Sequence, residues 1–367
     1  MKSRLLSSLD AAIAAATQPV QADCLRAERA GLLARQGQLA EARAVIASLQ
    51  AQYALKSNAA VSAWVALADG LLSHFSDLNR VAHDRMRRAH ALSGAARDVR
   101  LQALAAAWLA HMDYAAYDLE PMGRHVAEAL QLADADHHGP RARACLVVAL
   151  AYHFGNRFES AQPWYAKARL HANAEGDETT LSAIMYNMAG LLTDQARQLM
   201  LTGTPDTSVA RRAMLSLEST RNFDALIGTA SLNSLVPLNR ARVCSMQGQW
   251  AEAVSLYEAH FSDGLLQGLD RMRAWLGADL AWCRLQLGQT EQALKEAMAA
   301  EVAVAHDRDV DDRAAAHSRL AQIFTQLGQT EAAARHSAQA AIDWRAHERD
   351  QASAVAVMDR VLAKTRG

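Results

Sequence analysis

The chain has 367 residues, 51% of them hydrophobic but only 5% aromatic, and a formal net charge of −1. Such balance gives no reason to expect a polyanion, nucleic acid or an acidic membrane surface as obligate partner, and no apolar run approaches the ~18 residues of a membrane span. With 18 glycines, 6 prolines and no alternating β-branched runs, the composition excludes a β-rich fold and predicts helix nearly throughout.

Residues 1–23 read as an N-terminal amphipathic helix, with Leu5, Leu9 and Ile13 on one face. Met1-Lys2-Ser3-Arg4 before Leu5 to Ala16 has a faint secretory look, but Asp10, Ser7 and Ser8 dilute the apolar core that a leader needs. From there small residues recur at fixed places. Ala30, Gly37, Ala42 and Ile46 give a first repeat; Gly70, Asp77, Ala82, Met86 and Ala89 a second. Ala110, Met122, Val126 and Ala129 give a weaker third, and Ala149, Asn156, Ala161, Tyr165 and Ala168 a fourth. Ala189 opens a fifth, whose partner Ala213 arrives twelve residues late. The segment 195–207 is therefore an insertion, either a surface extension or a ligand-contacting protrusion. Within it Thr204-Pro205 predicts a helix cap followed by proline at the first helical position.

The last three repeats make the register explicit. Gln286-Leu287-Gly288-Gln289-Thr290-Glu291 returns forty positions later as Gln326-Leu327-Gly328-Gln329-Thr330-Glu331, with a relative at Met246-Gln247-Gly248-Gln249. Each turn glycine has an alanine seven residues before it (Ala241, Ala281, Ala321) and another five after it (Ala253, Ala293, Ala333). The second-helix alanine is followed 28 residues later by the next small first-helix residue at 42 to 70, 82 to 110, 161 to 189, 253 to 281 and 293 to 321. A fixed period of this size is the signature of stacked supersecondary units. Eight helical pairs are predicted over residues 24–347, with 348–367 as a C-terminal capping helix; Glu331 to Ala363 reads as one long helix or two.

Small residue, turn glycine, alanine, large residue and alanine again is a pattern that resembles the tetratricopeptide repeat (TPR) family, in its long-period, MalT-like variety of about forty residues. The resemblance implies an all-α, right-handed α-solenoid of about eight TPR-like hairpins, whose first helices line a concave groove. It implies a non-catalytic scaffold binding a protein or extended peptide, or alternatively the sensory input region of a bacterial signalling protein of the kind preceding a diguanylate cyclase or DNA-binding output domain. Carried onto this chain, the groove stripe includes His74, His111, Tyr114, His153, Tyr186, Arg242, Trp275, Trp282, Gln322 and Thr325, with Asn187, Asn239 and Arg319 one step off it. For Trp275 and Trp282, groove and core both remain open. The family's carboxylate-clamp set of Lys and Asn is not matched.

Searching for other chemistry returns little. There is no phosphate loop, zinc-protease motif or nucleophile elbow, so neither an enzyme nor a cofactor is expected. His306-Asp307-Arg308-Asp309-Val310-Asp311-Asp312 alternates aspartates like a calcium loop but lacks its Gly and Glu, and acidic capping of the next helix accounts for it. His137-His138 and the other histidines show no i, i+4 metal pair. Arg80, Arg85, Arg87 and Arg88 suit a solvated helix face near Asp77 and Asp84. Cys24, Cys145, Cys244 and Cys283, far apart and each in an apolar run, suit reduced core residues of a cytoplasmic protein.

Overall fold

The computed structural model describes residues 3–78, 81–307 and 309–365, so Arg80 of the arginine cluster and Arg308 of the aspartate stretch lie outside the described residues. Among the described residues there are seventeen α-helices, one short 3-10 helix at Leu269–Met272 and no strand. After α1 (Arg4–Ala15) they pair as α2 (Pro19–Arg35) with α3 (Leu39–Gln52), α4 (Ala59–Asp77) with α5 (Val81–Ala96), and α6 (Val99–Ala115) with α7 (Leu119–Leu132). Next come α8 (His138–Phe154) with α9 (Phe158–Glu175), α10 (Glu178–Leu201) with α11 (Thr207–Ile227), and α12 (Leu235–Met246) with α13 (Trp250–Leu266). The last pairs are α14 (Arg273–Gln286) with α15 (Thr290–Val304), and α16 (Val310–Gln326) with α17 (Thr330–Thr365). The fold is an all-α solenoid of TPR-like helical hairpins.

The turn between paired helices is one repeated device. The second residue past the helix end takes a left-handed φ, as at Gly37 (85°), Gly248 (75°), Gly288 (76°) and Gly328 (73°). The next amide then bonds back five residues: Gln38 N to Leu33 O (2.9 Å), Gln249 N to Cys244 O (2.9 Å), Gln289 N to Arg284 O (3.0 Å) and Gln329 N to Phe324 O (2.8 Å). This closure satisfies carbonyls that the helix leaves open. Tyr117 and Asn156 make the same turn without glycine, with Asp118 N to Asp113 O and Arg157 N to Tyr152 O. In the second hairpin the left-handed residue is Leu78, one step beyond the Asp77 that the register marked.

Between the turns, the register is a packing rule. Ala30, Ala110, Ala149, Ala189, Ala241 and Ala281 on first helices are buried, as are Ala42, Ala82, Met122, Ala161, Ala213, Ala253 and Ala293 on second helices. Small side chains there let helix axes approach closely. At Gly70 an added Cβ would lie 3.2 Å from Met86 Cε and 3.4 Å from Met86 N, so α4 and α5 pack almost backbone to backbone. Ala321 is the exception, half-buried on α16.

The chain divides into two compact units. Unit 1 comprises residues 1–184, 222–232 and 351–367; unit 2 comprises 185–221 and 233–350. In unit 1, α1 buries Leu6 and Leu9 against the first two hairpins, and Arg4 pairs with Glu178 at 2.7 Å. The stretch 222–232 covers the first turn, where a Cβ on Gly37 would meet Ser231 N at 2.7 Å. The end of α17 lies on α7 and α8: Gln351 Nε2 donates to Phe154 O at 2.8 Å, Tyr152 Oη donates to Asp359 at 2.6 Å, and Val357 reaches within 2.7 Å of where a Gly123 Cβ would stand. In unit 2, α10 and α11 enclose Ala189, Leu192, Ala196, Ala213 and Leu217.

The segment 195–207 is not a loop. Residues 195–201 prolong α10, and the cap of α11 is Asp206, whose carboxylate accepts from Ser208 N at 2.8 Å. The cap thus falls two residues after the expected Thr204, because an Asp carboxylate competes better for helix-end amides than a Thr hydroxyl. The boundaries expected near 23 and 347 fall inside α2 and α17. No helix among the described residues is long and apolar enough to cross a membrane.

Candidate functional site

In unit 2 the first helices α10, α12, α14 and α16 bring polar side chains together at matching register positions. Two residues before the buried or half-buried alanine stand Asn187, Asn239, Asp279 and Arg319; one residue after it stand Arg242, Trp282 and Gln322. Equal spacing on successive stacked helices makes each set a ladder across the hairpins.

Three buried arginines organise this face. Arg197 donates to Asp312 (2.5 Å) and Asp311 (2.6 Å) and lies 5.1 Å from the Trp275 ring centroid. Arg242 donates to Asn239 Oδ1 (2.6 Å) and to Asp194, and Asn239 Nδ2 donates to Tyr186 Oη at 3.3 Å. Arg319 donates through Nε to Asp279 (2.9 Å) and through Nη1 to Gln322 (2.8 Å), with its guanidinium 5.0 Å from the Trp282 ring. Asp279 also accepts from Ser245 Oγ (2.9 Å) and Tyr257 Oη (2.7 Å).

Four carboxylates thus surround three guanidiniums, and each buried arginine has an acidic partner. Burial opposes the charge on Arg197, but Asp312, Asp194 and Asp311 hold it protonated well above the ordinary range. Burial and the neighbouring Asp311 push Asp312 up to about 6. Burial pushes the Tyr186 hydroxyl up to about 12 and, aided by Asp279, the Tyr257 hydroxyl well above the ordinary value. Such phenols are hydrogen-bonding groups, not nucleophiles. A buried network of this kind, in which only the Nε of Arg197, the Nε of Arg242 and the indole of Trp275 lack partners among the described residues, fixes side-chain geometry more than it adds stability.

The candidate residues separate accordingly. Tyr186, Asn187, Trp282 and Gln322 are half-buried, whereas Asn239 and Arg242 are buried. Trp275 is core: it is 1% exposed, and its Nε1–H finds no acceptor. In unit 1, Tyr114 is half-buried edge-on to Phe154 (centroids 6.4 Å). His153 does not belong to a groove face: it is buried, and its Nδ1 lies 3.0 Å from Tyr165 Oη of α9 inside its own hairpin.

Arg197 escaped the sequence reading because it lies in the segment 195–207, where the register is interrupted. Asp311 and Asp312 stand in the acidic first turn of α16, as the sequence suggests, and serve Arg197 as counter-ions as well. In unit 1, Asp113 bridges His83 (2.7 Å) and His125 (2.6 Å), and His138 meets His171 (3.0 Å) through Nδ1 atoms; in unit 2, His317 meets His336 (2.7 Å) in the same way. No group of three or more His, Cys, Asp or Glu among the described residues could hold a metal ion. Arg85 pairs with Asp69 (3.0 Å) and Arg87 with Asp84 (3.6 Å). The four cysteines are free thiols, three buried and Cys24 half-buried.

No protein-family model and no curated protein matches the chain. Among solved structures it is similar in fold to a Rap protein crystallised in complex with the competence and sporulation factor, at 12% identity and a TM-score of 0.60 over 90% of this chain and 100% of that one.

Proposed function

We propose that the chain is a non-catalytic helical-repeat scaffold that takes a protein or an extended peptide on the first-helix face of unit 2. The observation that carries this reading is a set of half-buried hydrogen-bonding side chains fixed by a buried layer in which each arginine has an acidic partner: Asn239 holds Tyr186, and Arg319 holds Gln322. Side chains whose rotamers are set before binding lose little entropy when a ligand arrives. Amides, a phenol and an indole edge at repeated spacing suit the alternating donors and acceptors of an extended backbone. The forty-residue period supports the elongated tetratricopeptide variety, and the similar fold of a Rap protein crystallised with a bound factor supports a binding role.

Selection of a random peptide library on the intact chain tests this. Peptides are expected to enrich, and Asn187→Ala with Gln322→Ala, or Trp282→Ala alone, should weaken the selected peptides by roughly tenfold or more while helical circular dichroism persists. No enrichment, or equal binding by the variants, removes this face as the binding site.

A further inference from the structure

Unit 1 holds a second polar cluster on first helices, and its charges do not balance. Arg35 closes α2, Trp108 and His111 lie on α6, Arg143 on α8, and Asp177 and Thr180 at the start of α10. Arg35 Nη2 donates to both oxygens of Asp177 (2.9 and 2.8 Å) and to Thr180 Oγ1 (2.8 Å). Asp177 is already committed further, accepting from Thr180 N (2.9 Å) and Thr180 Oγ1 (2.8 Å).

Arg143 is left without a carboxylate. It is 4% exposed, its guanidinium lies over the Trp108 ring at 3.9 Å from the centroid, and among the described residues it hydrogen-bonds only Thr180 Oγ1, at 3.4 Å. Burial and the neighbouring Arg35 bring it down to about 9, which still leaves it cationic at neutral pH. Arg35 also contacts the Trp108 ring, at 5.6 Å, and among the described residues its Nε–H has no acceptor, as is true of Arg197 and Arg242 in unit 2. The other basic groups bring no balance: burial, Arg143 and His74 hold His111 neutral, and its Nδ1 is also without a partner. Glu175, the next acid, hydrogen-bonds neither guanidinium and acts on Arg35 rather than Arg143. Two guanidiniums therefore share one carboxylate, against four carboxylates for three arginines in unit 2.

We propose that Arg143, with Arg35, Thr180 and the Trp108 face, binds a monoanionic carboxylate supplied from outside the chain. A buried cation with unused donors is costly unless an anion completes it. The guanidinium fork matches a planar carboxylate with two parallel bonds. The excess is a single charge, so a carboxylate neutralises the site where a phosphate dianion would overshoot. The carboxylate belongs either to a small free acid or to an acidic residue or C-terminus of a polypeptide.

The test is thermal unfolding and titration calorimetry of the full chain with acetate, chloride and inorganic phosphate at equal ionic strength, and with a capped peptide carrying one glutamate or, in its control, one glutamine. Acetate should stabilise the chain saturably and more than chloride or phosphate. Arg143→Met should melt higher than the parent without ligand and lose the acetate response; Arg143→Lys, which keeps charge but not the fork, should bind acetate roughly tenfold more weakly. A glutamate peptide binding well beyond acetate identifies a polypeptide source, and one that merely equals acetate identifies a small acid. No preference for acetate over chloride, a preference for phosphate, or an unchanged response in both Arg143 variants overturns the proposal. Trp282→Ala should leave the acetate response intact, so this site and the peptide-binding face fail independently.

Discussion

Six histidines are held below their ordinary pKa by burial. His137 and His317 are brought down to about 4, His111 well below the usual value, and His171, His336 and His347 are lowered as well. For His317 the adjacent His336 adds to burial, since two imidazoles 2.7 Å apart cannot both carry a proton at Nδ1. In the unfolded chain these rings bind protons below about 6.5. For these rings the unfolded state takes up more protons across the window from about 6.5 to about 4, and their contribution to stability falls as pH falls through it. Glu28, Asp307 and Asp312, which burial raises to about 7, 8 and 6, act in the opposite sense, so the test is a difference: His317→Gln should raise the urea midpoint relative to the parent more at pH 5 than at pH 7. An equal difference at the two pH values would contradict this.

At the scale of the helix pair, stability rests on side-chain size and one turn conformation. Ala281→Leu must force a full side chain between α14 and its neighbours, at a cost of ~1–3 kcal/mol. Ala321→Leu, at the half-buried equivalent on α16, should cost well under that. Gly288→Ala meets no atom within 4 Å, so its cost, about 1 kcal/mol, comes from the left-handed φ of 76° alone. Urea denaturation of the three variants separates packing from backbone strain, and equal costs at Ala281 and Ala321 would refute the packing rule. These features were legible because they are local and periodic: the turn glycines and alanines forecast eight hairpins and most of their boundaries. The site was legible only in part. Asn239, Arg242 and Gln322 are named by their register positions, but whether such a residue faces solvent depends on partners 40 to 120 residues away. Nothing near Arg197 in the chain announces Asp311, and nothing near Arg143 announces that Asp177 is already taken by Arg35. Trp275 and His153 carried the right spacing and the wrong depth.

At the scale of the molecule, unit 1 is not a contiguous stretch of chain. It needs residues 222–232 and 351–367 in addition to 1–184, and the last of these bury Ala354, Val357, Met358 and Leu362. A fragment ending at residue 184 should therefore expose apolar surface over α7 and α8, bind a hydrophobic dye, and melt at a lower temperature than when peptide 345–367 is added in trans. Equal melting with and without the peptide would show that α17 contributes nothing there. Gly123→Leu in the full chain, by filling the space that Val357 uses, should open the same region to limited proteolysis near residue 351.

That far-flung closure bears on biosynthesis. Residue 351 leaves the ribosome 167 positions after residue 184, on the order of ten to thirty seconds later at ordinary translation rates. The earliest-made hairpins must wait out that interval with an apolar flank bare, in reach of nascent-chain chaperones and proteases. A premature stop codon late in the message would thus injure the oldest part of the polypeptide first.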